Sequence, residues 1–158
     1  MATDRNGLEV SLGRIMRWPD SVAERADRAF RDAAQDATSN LIVGGPYSPG
    51  TPVRSGRARD SWTAWTGEGE PRPFDREKEP RDNLGFVALG EAHQVIEEAP
   101  GGAPITLGSN APYMRRLEDG YSRTQAPTGM VKHVIRNWQN IWRDAWARAG
   151  RKTRKVAE

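Results

Sequence analysis

Two histidines and several acidic residues are the side chains of this chain best suited to proton transfer or metal binding. His93 and Glu97 are four residues apart, so in a helix their imidazole and carboxylate lie on one face, as in a metal-binding pair. No third ligand follows at a suitable spacing, the HExxH pattern is absent and the chain has no cysteine. The sequence therefore favours a surface histidine at position 93, and we expect no metal site.

The other acidic, histidine and glycine patterns do not form a recognisable catalytic site. His133 has no obvious serine nucleophile and orienting acid to work with. The acids at 97–98 and 118–119 are adjacent pairs, and neighbouring helical residues point about 100° apart, so such pairs rarely share a substrate. The glycine pairs lack the GK[ST] ending of a phosphate-binding loop. We therefore predict no enzyme activity and no cofactor.

Arginines supply the main recognition chemistry of the chain. Arg54, Arg57 and Arg59 lie in the segment Thr51-Pro-Val-Arg-Ser-Gly-Arg-Ala-Arg-Asp-Ser-Trp62. A guanidinium group binds a carboxylate or a phosphate through two parallel hydrogen bonds. Three interpretations stay open: ordinary loop charges, pairing with carboxylates across a subunit boundary, or contact with nucleic acid.

A short helix is predicted from Pro112 up to a glycine C-cap at Gly120, with Ser109 or Asn110 as its N-cap. Tyr113 and Leu117 are four residues apart, so they share one face, which we assign to the core. The remaining charged residues point outward, and they are Arg115, Arg116, Glu118 and Asp119. Among them, Glu118 is the best candidate for a fixed salt bridge or a cap to a loop arginine.

The elements that position these residues follow from hydrophobic periodicity. Leu8–Leu12 alternates like a short strand, and a helix is predicted from Trp18 to about Val43. Its apolar residues recur at spacings of three and four, and they are Val22, Ala26, Ala29, Phe30, Ala33, Ala37 and Leu41. Strands are predicted at 61–66 and 105–107. A helix is predicted at Phe86–Glu98, with apolar residues at positions 86, 89, 92 and 95/96. Between the first strand and this helix, residues 67–83 are predicted to form a long surface loop or arm.

The last predicted helix carries a stripe of large apolar residues from Met130 to Trp146. Trp138, Trp142 and Trp146 follow one another at intervals of four, on one helical face. This face packs on the domain's own sheet, or its Trp142 and Trp146 end contacts another subunit, or both.

Length and composition limit the architecture to a modest, well-hydrated domain. The chain has 158 residues, 36% hydrophobic and 28% charged, with a net charge of +3. We predict an α+β fold over residues 1–150, in which a long N-terminal helix and a Trp-rich C-terminal helix pack on a small, mainly antiparallel sheet. Residues 151–158 are a basic tail, either a solvated terminus or an arm for nucleic acid or an acidic protein. No signal peptide or membrane span is expected.

Three segments, in order, resemble the small tail-component family of siphophages, to which the lambda-type tail-completion proteins are related. Residues 51–62 are similar to its P-V-D-T-G-x-L-R-x-S segment, although Arg54 replaces the usual aspartate. The stretch Asn110-Ala-Pro-Tyr-Met-Arg-Arg-Leu-Glu-Asp-Gly-Tyr-Ser122 resembles N-x-x-P-Y-A-x-x-[LV]-E-x-G-x-S. Gln125-Ala-Pro-Thr-Gly-Met130 resembles Q-A-P-x-G-M at the entry to the last helix.

The resemblance implies a structural virion protein of the head–tail neck, assembled in the host cytoplasm. It implies a ring, expected to be hexameric, at the proximal tail end, which meets a tail terminator or tail tube protein and head-closure or connector proteins and enables head–tail joining. Interface candidates are Arg54, Arg57, Arg59, Arg115, Arg116, Glu118, Trp142 and Trp146. Non-specific contact with genomic DNA in the lumen stays open. The alternatives are a tail terminator, a head-closure ring, or a basic nucleic-acid-binding module that uses the arginines at 54–59 and the tail.

Overall fold

The computed structural model describes residues 5–155, and within them the side chains of residues 21–151. The described part combines helices with one small antiparallel sheet, so the predicted α+β class is confirmed. The elements in chain order are α1 (Arg5–Ile42), α2 (Arg57–Asp60), β1 (Thr63–Thr66), α3 (Phe86–Glu98), β2 (Ile105–Gly108), α4 (Met114–Glu118), α5 (Val131–Arg136) and α6 (Trp138–Lys155).

The first helix is longer than the sequence predicts. It begins at Arg5, so the predicted strand at Leu8–Leu12 and the predicted helix start at Trp18 are both wrong. An alternation of five residues is a weak signal, because Leu8, Leu12 and Ile15 also recur at the helical spacings of four and three. The predicted helix end is confirmed, since α1 stops at residue 42.

The most extensive contact between elements joins α1 and α6. Ala33 and Ala37 of α1 pack against Ile141 and Ala145 of α6, and all four side chains are buried. Small side chains let the two helix backbones approach closely, so the predicted alanine stripe forms the core of this contact. Among the other predicted members, Ala29 and Leu41 are buried, Ala26 and Phe30 are half-buried, and Val22 is 40% exposed.

The predicted last helix is two helices, α5 and α6, separated by Asn137. α6 packs chiefly on α1, whereas the sequence predicts packing on the sheet. Its buried line is Ile141, Ala145 and Ala149, and Trp138 beside that line is 38% exposed. α6 continues to Lys155, so residues 151–155 of the predicted basic tail are helical, and residues 156–158 lie outside the described part.

The sheet consists of β1 and β2, which run antiparallel with Thr63 opposite Gly108. The predicted strands at 61–66 and 105–107 are therefore confirmed, with the first beginning two residues later. Trp62, just before β1, and Ala64 within it are both buried. They project to one side, as the alternation of the sequence predicts.

The third helix has the predicted bounds, but its buried face is shifted. Ala88, Ala92 and Ile96 are buried, at intervals of four residues. Phe86 is 56% exposed, so its predicted core position is wrong. The reason is its place in the first turn, where it precedes the buried line by two residues and faces another side of the helix.

The chain between β1 and α3 is the predicted surface loop, and ion pairs hold it to the domain. Arg81 forms a salt bridge with Asp60 at 2.8 Å and a second with Glu91. Arg72 also reaches Glu91, at 3.4 Å. These pairs fix the middle and the end of the loop against α2 and α3.

The short helix α4 begins at Met114, two residues later than predicted, and no side chain caps its first turn. The predicted N-cap is wrong, because the Ser109 hydroxyl instead accepts the Ala111 amide at 3.1 Å in the preceding turn. Leu117 is half-buried and packs against the core cluster that contains Leu41 and Met130, whereas Tyr113 is half-buried and packs on Phe74. Both lie at the margin of a cleft described below.

Candidate interaction site: an arginine-lined cleft

The segment that begins at Thr51 is anchored on the end of α1. Thr51 is fully buried, and its hydroxyl donates to the Leu41 carbonyl at 2.8 Å and accepts the Trp62 indole N–H at 2.8 Å. The indole therefore satisfies its polar group while its rings join the core cluster of Leu41, Ile42 and Met130. This arrangement fixes both ends of the segment that carries Arg54 and Arg57.

Arg59 has an internal role. Its Nε donates to the Thr51 carbonyl at 2.7 Å, and its Nη1 donates to the Leu84 carbonyl at 3.2 Å. Burial lowers the pKa of the Arg59 guanidinium, while the nearby Asp82 carboxylate raises it. Arg59 is a predicted interface residue, but in the structure it connects the loop at Thr51 to the loop at Leu84.

Gln125 joins two of the segments on which the family resemblance rests. Its side-chain oxygen accepts the Val53 amide at 2.6 Å, and its side-chain nitrogen donates to the Val53 carbonyl at 2.9 Å. A primary amide can satisfy both backbone groups of one residue in this way, as a neighbouring strand would. The loop after α4 is thereby held against residues 52–55.

Glu118 joins the second segment to the third, and it does so without an arginine. Its carboxylate accepts the backbone amides of Met130, Val131 and Lys132 at 2.9, 2.8 and 3.0 Å. These are unpaired donors at the start of α5, so a carboxylate there is favourable. The sequence predicts a salt bridge or a cap to a loop arginine, and this prediction is wrong, because the carboxylate instead caps the start of α5.

Two glycines permit the close approach of these segments. Gly129 has a φ of +86°, and a Cβ atom there would overlap the Glu118 carbonyl oxygen and lie 2.8 Å from its carboxyl carbon. Gly120 has a φ of +87°, as predicted for a C-cap, and a Cβ atom there would overlap the Pro127 carbonyl oxygen. Glycine is needed at both positions for conformation and for space.

These contacts shape a cleft of about 700 Å³ between residues 52–58, α4 and the loop 121–125. Four arginines line it, with no acidic residue among the lining side chains, and they are Arg54, Arg57, Arg116 and Arg123. We call this feature the arginine cleft. Its other walls include Pro52, Val53, Tyr113, Leu117 and Tyr121, so cationic groups surround a partly apolar floor.

Three of these arginines have no carboxylate partner among residues 21–151. Within that part of the chain, Arg54, Arg116 and Arg123 form no salt bridge or side-chain hydrogen bond. Arg57 pairs with Glu79 at 3.2 Å, yet its buried Nε has no hydrogen-bond partner. The exposed guanidinium groups of Arg54, Arg116 and Arg123 are the ones accessible to a carboxylate or another anion.

One wall of the arginine cleft is stiffened by aromatic packing. The Tyr113 and Phe74 rings meet edge to face with centroids 5.5 Å apart. Burial raises the pKa of the Tyr113 phenol above its ordinary value, and the charges of Arg57 and Arg76 lower it. Tyr113 therefore stays a neutral hydrogen-bonding group at the edge of a positively charged surface.

The remaining interface candidates lie apart from the cleft. Arg115 is exposed on α4 but does not line it. Trp142 and Trp146 stack with centroids 6.1 Å apart on the flank of α6, and both are half-buried. The Arg25 guanidinium lies 4.3 Å from the Trp146 ring, a cation–π contact between α1 and α6.

Both histidines take part in hydrogen bonds between neighbouring elements. His93 Nε2 lies 3.2 Å from the Ser39 hydroxyl and 3.2 Å from the Gln35 carbonyl, at the contact of α3 with α1. His133 Nε2 lies 2.7 Å from the Thr128 hydroxyl. Across the residues that the structure describes, no group of three or more His, Cys, Asp or Glu side chains is placed to hold a metal ion. No helix in the same part of the chain is long and apolar enough to cross a membrane.

Sequence reasoning missed Arg123 and the clamping role of Gln125. A signal existed, because both lie in the polar loop directly after the Gly120 C-cap, where the chain turns back toward the core.

Comparison of the chain with protein-family models, curated proteins and solved structures finds no match.

Proposed function

We propose that this chain is a structural protein of a tailed-phage virion, a tail-completion or neck component. In this proposal, copies of the chain form a ring at the proximal end of the tail, and the ring allows the tail to join a filled head. The role needs binding surfaces of fixed shape and no chemical turnover.

One observation carries the proposal: the three segments that resemble the phage family meet in a single interlocked unit. Gln125 clamps Val53, and Glu118 caps the helix that begins at Val131. The residues of the motifs therefore hold a rigid surface together, and that surface contains the arginine cleft. Preorganised surfaces of this kind favour assembly, because less conformational entropy is lost on binding.

The distribution of side chains also supports assembly into a ring. A closed ring of identical copies needs two different patches on each copy that fit each other. The arginine cleft supplies one charged patch. The exposed side of α6, where Trp138 and Trp142 border a shallow depression with Phe30, supplies an apolar surface for a further contact.

Head–tail joining in vitro tests this function. Inactivation of the gene in the phage that carries it is expected to yield filled heads and separate tails, and addition of the purified chain is expected to convert them into infectious particles. The Gln94→Ala variant serves as the control, because Gln94 is exposed on α3 and lines neither the arginine cleft nor the depression beside α6. Normal particles assembled without the chain would contradict the proposal.

Within the same class, a tail terminator and a head-closure ring stay alternatives, and joining assays with separated heads and tails distinguish them by the partner that binds the chain. A basic nucleic-acid-binding module is the second candidate, favoured by the four arginines of the cleft. That function predicts a salt-dependent shift of duplex DNA by the isolated chain, which weakens in Arg116→Glu.

A further inference from the structure

The loop between β1 and residue 71 is an acidic counterpart to the arginine cleft. Gly67, Glu68, Gly69 and Glu70 are all exposed, and the loop carries two carboxylates and no basic residue. Within residues 21–151, neither Glu68 nor Glu70 forms a salt bridge or a side-chain hydrogen bond. We call this segment the acidic loop.

The acidic loop is held in place at both ends. It leaves β1 directly after Thr66, and the Arg72 amide donates to the Thr63 hydroxyl at 3.2 Å beyond its other end. Gly69 lies against the Trp65 ring, where a Cβ atom would come within 2.5 Å of the ring. The two carboxylates are therefore presented on a supported turn, which lowers the entropy cost of binding.

The two features are formed by different residues. None of the residues 67–70 lines the arginine cleft. A head-to-tail contact requires this arrangement, because each copy then offers its loop to one neighbour and its cleft to the other.

We propose that the arginine cleft of one copy receives the acidic loop of the next copy. This inference rests on the proposed ring function and names the contact that builds the ring. Glu68 and Glu70 pair with arginines of the cleft, with Arg116 and Arg123 as the principal partners. A carboxylate matches the fork of a guanidinium group, and a cleft of about 700 Å³ has the size of sites that enclose small ligands or a few residues.

Size and shape favour a loop over duplex DNA as the occupant. A duplex is a broad convex cylinder that rests on a surface, whereas the arginine cleft is concave and has Pro52, Val53 and Leu117 among its walls. The aliphatic stems of glutamates can cover such apolar groups while their carboxylates reach the arginines.

The contact is tested by reversing the charges of the loop and of the cleft in two separate variants and then mixing the two variants. The readout is sedimentation of the full chain at low ionic strength. Glu68→Lys/Glu70→Lys and Arg116→Glu/Arg123→Glu are each expected to raise the dissociation constant for self-association at least about tenfold. An equimolar mixture is expected to return to within about threefold of the wild-type value. In the mixture every loop faces a cleft of opposite charge, so alternating assemblies form.

A control pair, Glu77→Lys/Glu98→Lys, changes the net charge by the same amount on exposed acids outside the acidic loop, and it is expected to leave association within about threefold. Circular dichroism and thermal melting of each variant verify folding. Because recovery on mixing requires folded partners, a variant that merely unfolds cannot imitate the expected result.

Three outcomes would overturn the contact. Reversed variants that each associate like the wild type would overturn it and leave the ring function standing. A wild-type chain that stays monomeric at every concentration would also overturn it, and the head–tail joining assay then decides the function separately. Loss of duplex DNA binding in Arg116→Glu/Arg123→Glu, with association unchanged, would assign the cleft to nucleic acid.

Discussion

The side-chain amide of Gln125 pairs with both backbone groups of Val53, at 2.6 Å to its amide nitrogen and 2.9 Å to its carbonyl oxygen. These residues are 72 positions apart in the chain. The pair closes one side of the arginine cleft and connects the loop after α4 to the segment of Arg54 and Arg57. The shape of the cleft therefore depends on one side chain in a polar loop.

Replacement of Gln125 tests this connection. We expect Gln125→Ala to lower the free energy of unfolding by about 1 kcal/mol, because two hydrogen bonds at an accessible site are lost. Urea denaturation followed by tryptophan fluorescence measures the change. Gln139→Ala is the control and is expected to change stability by less than about 0.5 kcal/mol. Equal stability of the two variants would show that the clamp does not contribute.

The cap formed by Glu118 has a larger expected effect. Glu118→Ala leaves three backbone amides at the start of α5 without their acceptor, so we expect a loss of about 1 to 2 kcal/mol in the free energy of unfolding. Asp119→Ala removes the neighbouring exposed carboxylate and is expected to change little. Urea midpoints that shift equally in both variants would contradict the assigned role.

A comparison of Gly129 with Gly67 distinguishes the cost of a positive φ from the cost of a steric clash. Gly129→Ala combines the cost of a positive φ with a clash against the Glu118 carbonyl, so we expect a loss above about 2 kcal/mol. Gly67→Ala pays only the conformational cost, about 1 kcal/mol, because no atom lies within 4 Å of a Cβ atom there. Thermal melting compares the two, and equal losses would show that the backbones have room to separate.

The Asp82 carboxylate caps the start of α3, and this cap should make the free energy of unfolding depend on pH. Its carboxylate accepts the amides of Leu84 at 2.7 Å, Gly85 at 2.5 Å, Phe86 at 3.1 Å and Val87 at 2.8 Å. Desolvation raises the pKa of Asp82, but these four hydrogen bonds lower it more, so it lies below the ordinary 3.8.

A depressed pKa in the folded state means that the stabilisation is complete above the unfolded pKa and is lost as pH falls through the folded value. We therefore expect Asp82→Asn to cost about 1 kcal/mol at pH 7, and the difference from wild type to shrink below about pH 3.8. Urea titrations between pH 7 and pH 2 measure it. A difference that stays constant over this range would contradict the charged cap.

Local patterns were sufficient for the fold class, for both strands and for the bounds of α3. They were insufficient for the start of α1, because the five residues of Leu8–Leu12 fit a strand and a helix equally well. The helical period also predicted that the Trp138 face of α6 packs on the sheet. In the structure, Ile141 and Ala145 are the buried residues, and they pack against α1. The helical period identified the apolar side but could not identify the element that covers it.

Sequence reasoning selected arginines but could not say which of them are free. Arg57 and Arg59 are two positions apart, yet one lines the cleft and the other braces two loops, because the turn at Gly56 and the buried Thr51 carbonyl set their directions. Arg123 was missed for the same reason, since its position depends on the clamp between Gln125 and Val53. Such contacts join residues far apart in the chain and leave no periodic signal.

Electron microscopy of the purified full chain at low ionic strength tests the central claim most directly. The proposed ring predicts closed particles of identical copies, with class averages that show rotational symmetry and a central opening. Particles of single chains at all concentrations, or filaments that appear only when duplex DNA is added, would contradict it.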